Sequence, residues 1–214
     1  MLVHVKIWKV IVFLLCPLSL MSLSQIPYRV HFIGLKDSQT LKVLKTNSAL
    51  MRQKNHPPAS INALRYRIES DIPELIRIMK SYGYYDAEIT SDIQSIGGKV
   101  NVYLFLQPGV RYVVGSYTLL SGSCQSPLYI TDCEEVTMKQ IGLRENQPAI
   151  SQELIDAELN VLTQLAKCSY PLAAIERRQY QVDVSEKTVD TTLCVKERPP
   201  MQVRTYNHLR SQDR

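Results

Sequence analysis

The chain repeats itself, and the length of the repeat sets the size of the folding unit. Phe32-Ile33-Gly34 recurs as Leu120-Ser121-Gly122, an offset of 88. Tyr84, Ala87 and Ile89 recur as Tyr170, Ala173 and Ile175 at an offset of 86, and Val100-Asn101-Val102 recurs as Val189-Asp190-Thr191 at 89. One such match is cheap. Three in the same order at nearly one spacing indicate two copies of a single unit, over residues 25–109 and 110–198.

Both copies predict the same element order. In the first, Tyr28, Val30 and Phe32 alternate with Arg29 and His31, a half-buried strand that ends at Gly34. Leu41, Leu44, Ser48 and Met51 keep helical spacing until Asn55-His56-Pro57-Pro58 stops them. A longer helix places Ile61, Leu64, Ile68, Ile72, Leu75, Ile76 and Met79 on one face. Pro73 inside it predicts a kink or break, with Ser70 or Asp71 able to cap a fresh start, and Gly83 terminates it. Ile89, Ser91 and Ile93 form a strand, Gly97-Gly98 a hairpin turn, and Val100, Val102, Leu104 and Leu106 the next strand.

In the second copy a strand runs over Tyr112–Leu120, a short helix over about 132–141, and a longer one is capped by Ser151 with Leu154, Ile155, Leu159, Leu162 and Ala166 inward. Strands at Ile175–Val184 and Val189–Val195 close it around Ser185-Glu186-Lys187. The prediction is an α+β fold of two tandem βααββ modules, each a three-stranded sheet covered by two helices.

The first 24 residues read as a secretory signal, cleaved near Ser24-Gln25: basic Lys6 and Lys9, an apolar run from Val10 to Met21, then the small-x-small end Ser22-Leu23-Ser24. The run is short and broken by Pro17, which disfavours a membrane anchor. Of 25 basic residues 23 then remain against 20 acidic ones, a net charge of +3, too weak and scattered for nucleic acid. Cys124, Cys133, Cys168 and Cys194 remain, an even number suited to an oxidising compartment.

Catalytic and cofactor chemistry find no support in the motifs. No Gly-x-Ser-x-Gly elbow is present, Gly97-Gly98-Lys99 lacks the rest of a phosphate loop, and His31, His56 and His208 are isolated. Asp132, Glu134 and Glu135 read as charges complementing a helix N-terminus, and four cysteines without a Cys-x-x-Cys do not seed a zinc site. The expectation is a non-enzymatic protein with no cofactor, metal, small-molecule substrate or nucleic-acid partner. Tyr28 and Tyr180, at alternating strand positions, are expected in the core. Of Tyr84 and Tyr85, at a helix–strand corner, one is expected under the sheet and the other at the surface.

The segment Gly83-Tyr84-Tyr85-Asp86-Ala87-Glu88-Ile89 resembles the helix-to-strand corner of POTRA domains in the TamA and BamA families of outer-membrane assembly factors. Leu106-Gln107-Pro108-Gly109-Val110-Arg111-Tyr112, followed by a strand ending at Gly122, resembles the junction between consecutive POTRA domains. Ser169-Tyr170-Pro171-Leu172-Ala173 repeats the corner with serine for glycine, a departure from a glycine-type cap but not from the fold. The likeness spans about Pro27 to Arg198.

Such proteins continue into a further domain and a β-barrel, whereas residues 199–214 only begin another strand. The expectation is therefore either a soluble periplasmic protein, associated with the outer membrane indirectly, or a truncated or split remnant of a barrel protein. The resemblance implies docking of partner subunits or nascent outer-membrane strands by protein–protein contact. By the family's strand order the accepting edge is the second strand of each module, at Ala87, Glu88, Ile89, Thr90 and Ser91 and at Ala174, Ile175 and Glu176.

Strand parity governs the cysteines. Val189, Thr191, Leu193 and Val195 alternate toward the helices, so Cys194 points to the opposite face, away from Cys168 at the end of the covering helix. Cys168 and Cys194 are expected unpaired, and Cys124 and Cys133, flanking a short loop that contains Pro127, are expected to bond.

Overall fold

A computed structural model describes residues 25–130 and 135–197. The signal segment with its cleavage point, Asp132, Cys133, Glu134 and the tail 199–214 lie outside the described residues. The elements are β1 (Tyr28–Ile33), α1 (Ser38–Asn47), α2 (Ala49–Arg52), α3 (Ile61–Ser81), β2 (Glu88–Ile96), β3 (Lys99–Gln107), β4 (Val113–Ser121), α4 (Ser151–Lys167), β5 (Ala174–Asp183) and β6 (Thr188–Lys196). They form two separate three-stranded sheets of identical topology, β1-β3-β2 and β4-β6-β5. In each, the first strand lies parallel to the central one and the hairpin partner antiparallel to it.

Helix α3 buries Leu64, Ile68, Leu75 and Met79 against β3, whose Val102, Leu104 and Leu106 are also buried, the periodicities of 3.6 and 2 meeting face to face. The expected break at Pro73 does not occur, and α3 runs continuously through it. Pro73 sits on the exposed side, where the hydrogen bond it forgoes can be replaced by water. Asp71 does cap a helix, but a different one. It is 2% exposed and accepts from Ser48 Oγ at 2.6 Å, Ala49 N at 2.8 Å and Leu50 N at 3.2 Å, satisfying the first turn of α2.

The second module keeps the sheet and long helix but departs in three places. In place of the expected short helix, residues 138–142 form a turn closed by Leu143 N to Met138 O at 2.9 Å. Ser151 opens α4 without capping it: Ile150 is the cap position, and no side chain bonds there. The buried face of α4 is Leu154, Ala157, Glu158, Val161 and Leu165, so the expected inward stripe is rotated and Ile155 and Leu159 lie exposed.

The disulfide expectation is corrected as well. Cys124 bonds Cys194, with Cα atoms 5.2 Å apart, and Cys168 is disulfide-bonded too. Strand parity placed Cys194 on the correct face. The error lay in the partner: Leu120 of β4 pairs with Cys194 of β6, and the chain turns back after Ser121, Cys124 N bonding Ser121 O at 2.7 Å. Sheet pairing thus brings together residues 70 apart in sequence.

Candidate strand-docking edges and the junction between them

The two sheets leave their edges in different states. The outer edge of β4 is occupied by its own chain. Leu128 N bonds Leu119 O at 3.1 Å, Ser121 N bonds Ser126 O at 2.9 Å, and Val114 exchanges bonds with Gln147 O and Asn146 N. Strand β1 and the hairpin strands β2 and β5 are edges as well, and among the described residues no backbone bond beyond their own ladders engages them. An edge of that kind is a template for another extended chain.

The residues expected at these edges divide into two groups. Glu88, Thr90 and Ser91 are exposed on β2, while Ile89 turns into the core and Ala87, 6% exposed, precedes the strand. On β5, Ala174 and Ile175 are half-buried, and the register slips between Ile175 and Arg177, leaving Glu176 as an extra residue ion-paired to Lys196 at 2.7 Å. A bulge interrupts regular pairing, so the unbroken part of the edge runs from Arg177 to Asp183.

The sequence reading missed a polar group beside that stretch. Glu158 of α4, 6% exposed, accepts the Tyr180 hydroxyl and pairs with Arg178 Nε at 3.3 Å. Burial and the Glu158 hydrogen bond push the Tyr180 hydroxyl's pKa up and keep it a donor. Tyr180 faces the helix side as parity requires, yet it is 37% exposed rather than a core residue, because α4 stops short of the edge strand. The available signal was Glu158 itself, a carboxylate four residues after Leu154 on an otherwise apolar stripe.

The corner at residues 83–89 ties the modules together. Gly83 has φ +90°, and a Cβ there would stand 3.0 Å from Tyr112 O. The close approach lets Tyr112 N bond Gly83 O at 2.8 Å. Tyr84 and Tyr85 are both drawn inward rather than divided between core and surface: Tyr84 packs in the first core and Tyr85 packs against the second. Tyr85 lies 5.0 Å from the Tyr112 ring. Asp86 accepts from the Tyr112 hydroxyl at 3.2 Å and from Lys187 Nζ at 3.1 Å. Lys187 Nζ also bonds the Tyr112 hydroxyl at 3.2 Å, and its bonds to Tyr112 and to Asp86 raise the Lys187 pKa.

Arg111 bonds Tyr82 O at 2.9 Å and Asp37 at 3.2 Å, with its guanidinium 5.1 Å from the Tyr84 ring centre. Burial pushes the Asp37 pKa up, but hydrogen bonds from Thr40 and the Arg111 charge outweigh it and leave the pKa lowered. Gly109, next to Pro108, adopts φ +67° against Asp86. In the second copy, Tyr170 packs on the core and Pro171 is exposed.

No protein-family profile matches the sequence, and no curated protein matches it. Among solved structures it is similar to POTRA domains 3–5 of Haemophilus influenzae BamA, at 19% identity and TM-score 0.38, covering 84% of this chain and 68% of that one. Similarity to POTRA domains 1–2 of Omp85 from Anabaena is at 15% identity and TM-score 0.38, over 83% of this chain and 96% of that one. Against BamA from Haemophilus ducreyi lacking POTRA domains 1–3, the values are 15% and 0.39, and the chain spans 29% of that protein's length.

Proposed function

We propose that the chain is a periplasmic docking protein of outer-membrane protein assembly or translocation, whose modules bind partner subunits or nascent strands by adding an extended segment to β2 or β5. The observation that carries this reading is the contrast between edges: β4 is covered by its own chain, whereas the hairpin strands β2 and β5, like β1, have outward backbone groups that no other backbone segment among the described residues engages. Main-chain hydrogen bonds then supply affinity and the flanking side chains supply selectivity. The Cys124–Cys194 bond fits an oxidising compartment such as the periplasm. The corner and junction motifs, in turn, support a POTRA-type role.

Site-specific photo-crosslinking tests the reading. With a crosslinkable residue at Thr90 or Gln179, cells should yield adducts to outer-membrane assembly factors or their clients, while the same group at Thr118 of β4 should yield none. Equal labelling at all three positions would sink the edge reading.

A further inference from the structure

The open hairpin edges β2 and β5 differ in what lies beside them. Glu158 of α4 reaches across to Tyr180 and Arg178 of β5, while Asn160 Nδ2 reaches the other way, to Ile141 O at 2.9 Å. With about 3.6 residues per turn, Ile155, Leu159 and Leu162 project on the β5 flank. Ile155 is 47% exposed and Leu159 61%. On β5, Tyr180 and Val182 pair with Thr191 and Val189 and so face the helix side, yet they remain 37% and 36% exposed. Helix and edge strand together leave an apolar shelf beside an open backbone edge, bounded at one end by Arg178, which pairs with Leu193 on the same face and is held by Glu158.

The first module has no such shelf: the helix-side residues of β2 are Ile89, Ser91, Ile93 and Ser95, and Ile72 and Ile76 of α3 are packed on the core. The charges on the opposite faces also differ. Arg177 stands exposed on β5 with no ion pair among the described residues, and the one acid on the same face, Asp183 at the far end of the strand, is taken up by the turn at Ser185 and Glu186, whereas β2 presents Glu88 and Asp92.

We propose that β5 and the flank of α4 form the selective docking site of the chain, and that it takes an extended amphipathic segment. That segment carries apolar side chains at every second position toward Ile155, Leu159, Tyr180 and Val182, and a carboxylate on its other face opposite Arg177. The inference rests on strand addition as the mode of binding and adds which module binds and what it selects. A strand added to β5 continues the pleat, so alternate side chains fall on the shelf while the others stand beside Arg177, Gln179 and Gln181. Opposite charges on facing strands stabilise such a pair and like charges oppose it. The acidic β2 edge therefore disfavours the same segment.

The test uses the full chain and a fluorescent synthetic peptide of alternating leucine and serine with one aspartate on the serine face, followed by fluorescence anisotropy. Leu159→Glu, at an exposed helix position, should weaken binding by about tenfold or more. Ser91→Lys on β2 should leave it unchanged. Arg177→Glu should weaken the aspartate peptide and favour its lysine counterpart, a reversal that misfolding cannot produce. Weakening by Ser91→Lys but not by Leu159→Glu would overturn this proposal and leave strand addition standing. An absence of binding to the unsubstituted chain would overturn both.

Discussion

Ser169 stands where the first copy has Gly83. Its φ is +70°, in the left-handed region that side chains resist. The helix ends are nonetheless alike: Tyr84 N bonds Met79 O and Tyr170 N bonds Leu165 O, both at 3.0 Å. The serine therefore adopts the glycine-type cap that its identity argued against. The fold holds it there because Tyr170 must turn back onto the second core. Replacing Ser169 with glycine is expected to stabilise the chain by up to about 1 kcal/mol, read as a higher urea midpoint at unchanged slope. A lower midpoint would show that the serine makes a compensating contact.

At the scale of elements, the Cys124–Cys194 bond fastens the turn after β4 to the centre of the second sheet. Opening a loop of that length frees the unfolded chain by about 4 kcal/mol on a chain-entropy account, an upper figure where another disulfide already constrains it. Cys124→Ala with Cys194→Ala should therefore lower the stability of the second module by roughly 2–4 kcal/mol. Peptide mapping without reduction should recover a Cys124–Cys194 peptide, and recovery of Cys124 joined to Cys133 would refute the pairing. The bond also bears on the edges. It holds in place the turn leading to Pro127 and Leu128, which cover β4, so its loss is expected to expose a second edge in that module.

At the scale of the whole molecule, Arg111 spans the link between the modules and charges Asp37, the cap residue of α1. Because the Asp37 pKa is lowered on folding, its contribution is fully present above the unfolded value of about 3.9 and is lost as pH falls through the folded value. Asp37→Asn keeps a capping side chain and removes the charge. The difference in unfolding midpoint between wild type and this variant should stay constant from neutral pH to about pH 5 and close below pH 4. A difference that persists unchanged to pH 2 would mean that the Asp37 charge, held by Thr40 and Arg111, contributes nothing to stability.

The repeat, the strand alternations and the apolar stripe of α3 were legible in the chain because each is a local period that one face of a helix or strand must satisfy. The open status of β2 and β5 was anticipated only through a resemblance, since periodicity does not order strands within a sheet. Tertiary structure decided what depends on residues far apart in sequence. Asp71 caps a helix some 20 residues upstream because the N-terminus of α2 lies against it. Cys194 finds Cys124 because β4 and β6 pair in parallel, which leaves the end of one beside the other. Ile155 and Leu159 look inward on any helical wheel drawn through α4. They are exposed because Glu158 is satisfied by Tyr180 and Arg178, which lets the helix settle with that carboxylate buried. A wheel weighs apolarity alone, and the choice between two apolar stripes rested on which one met the sheet.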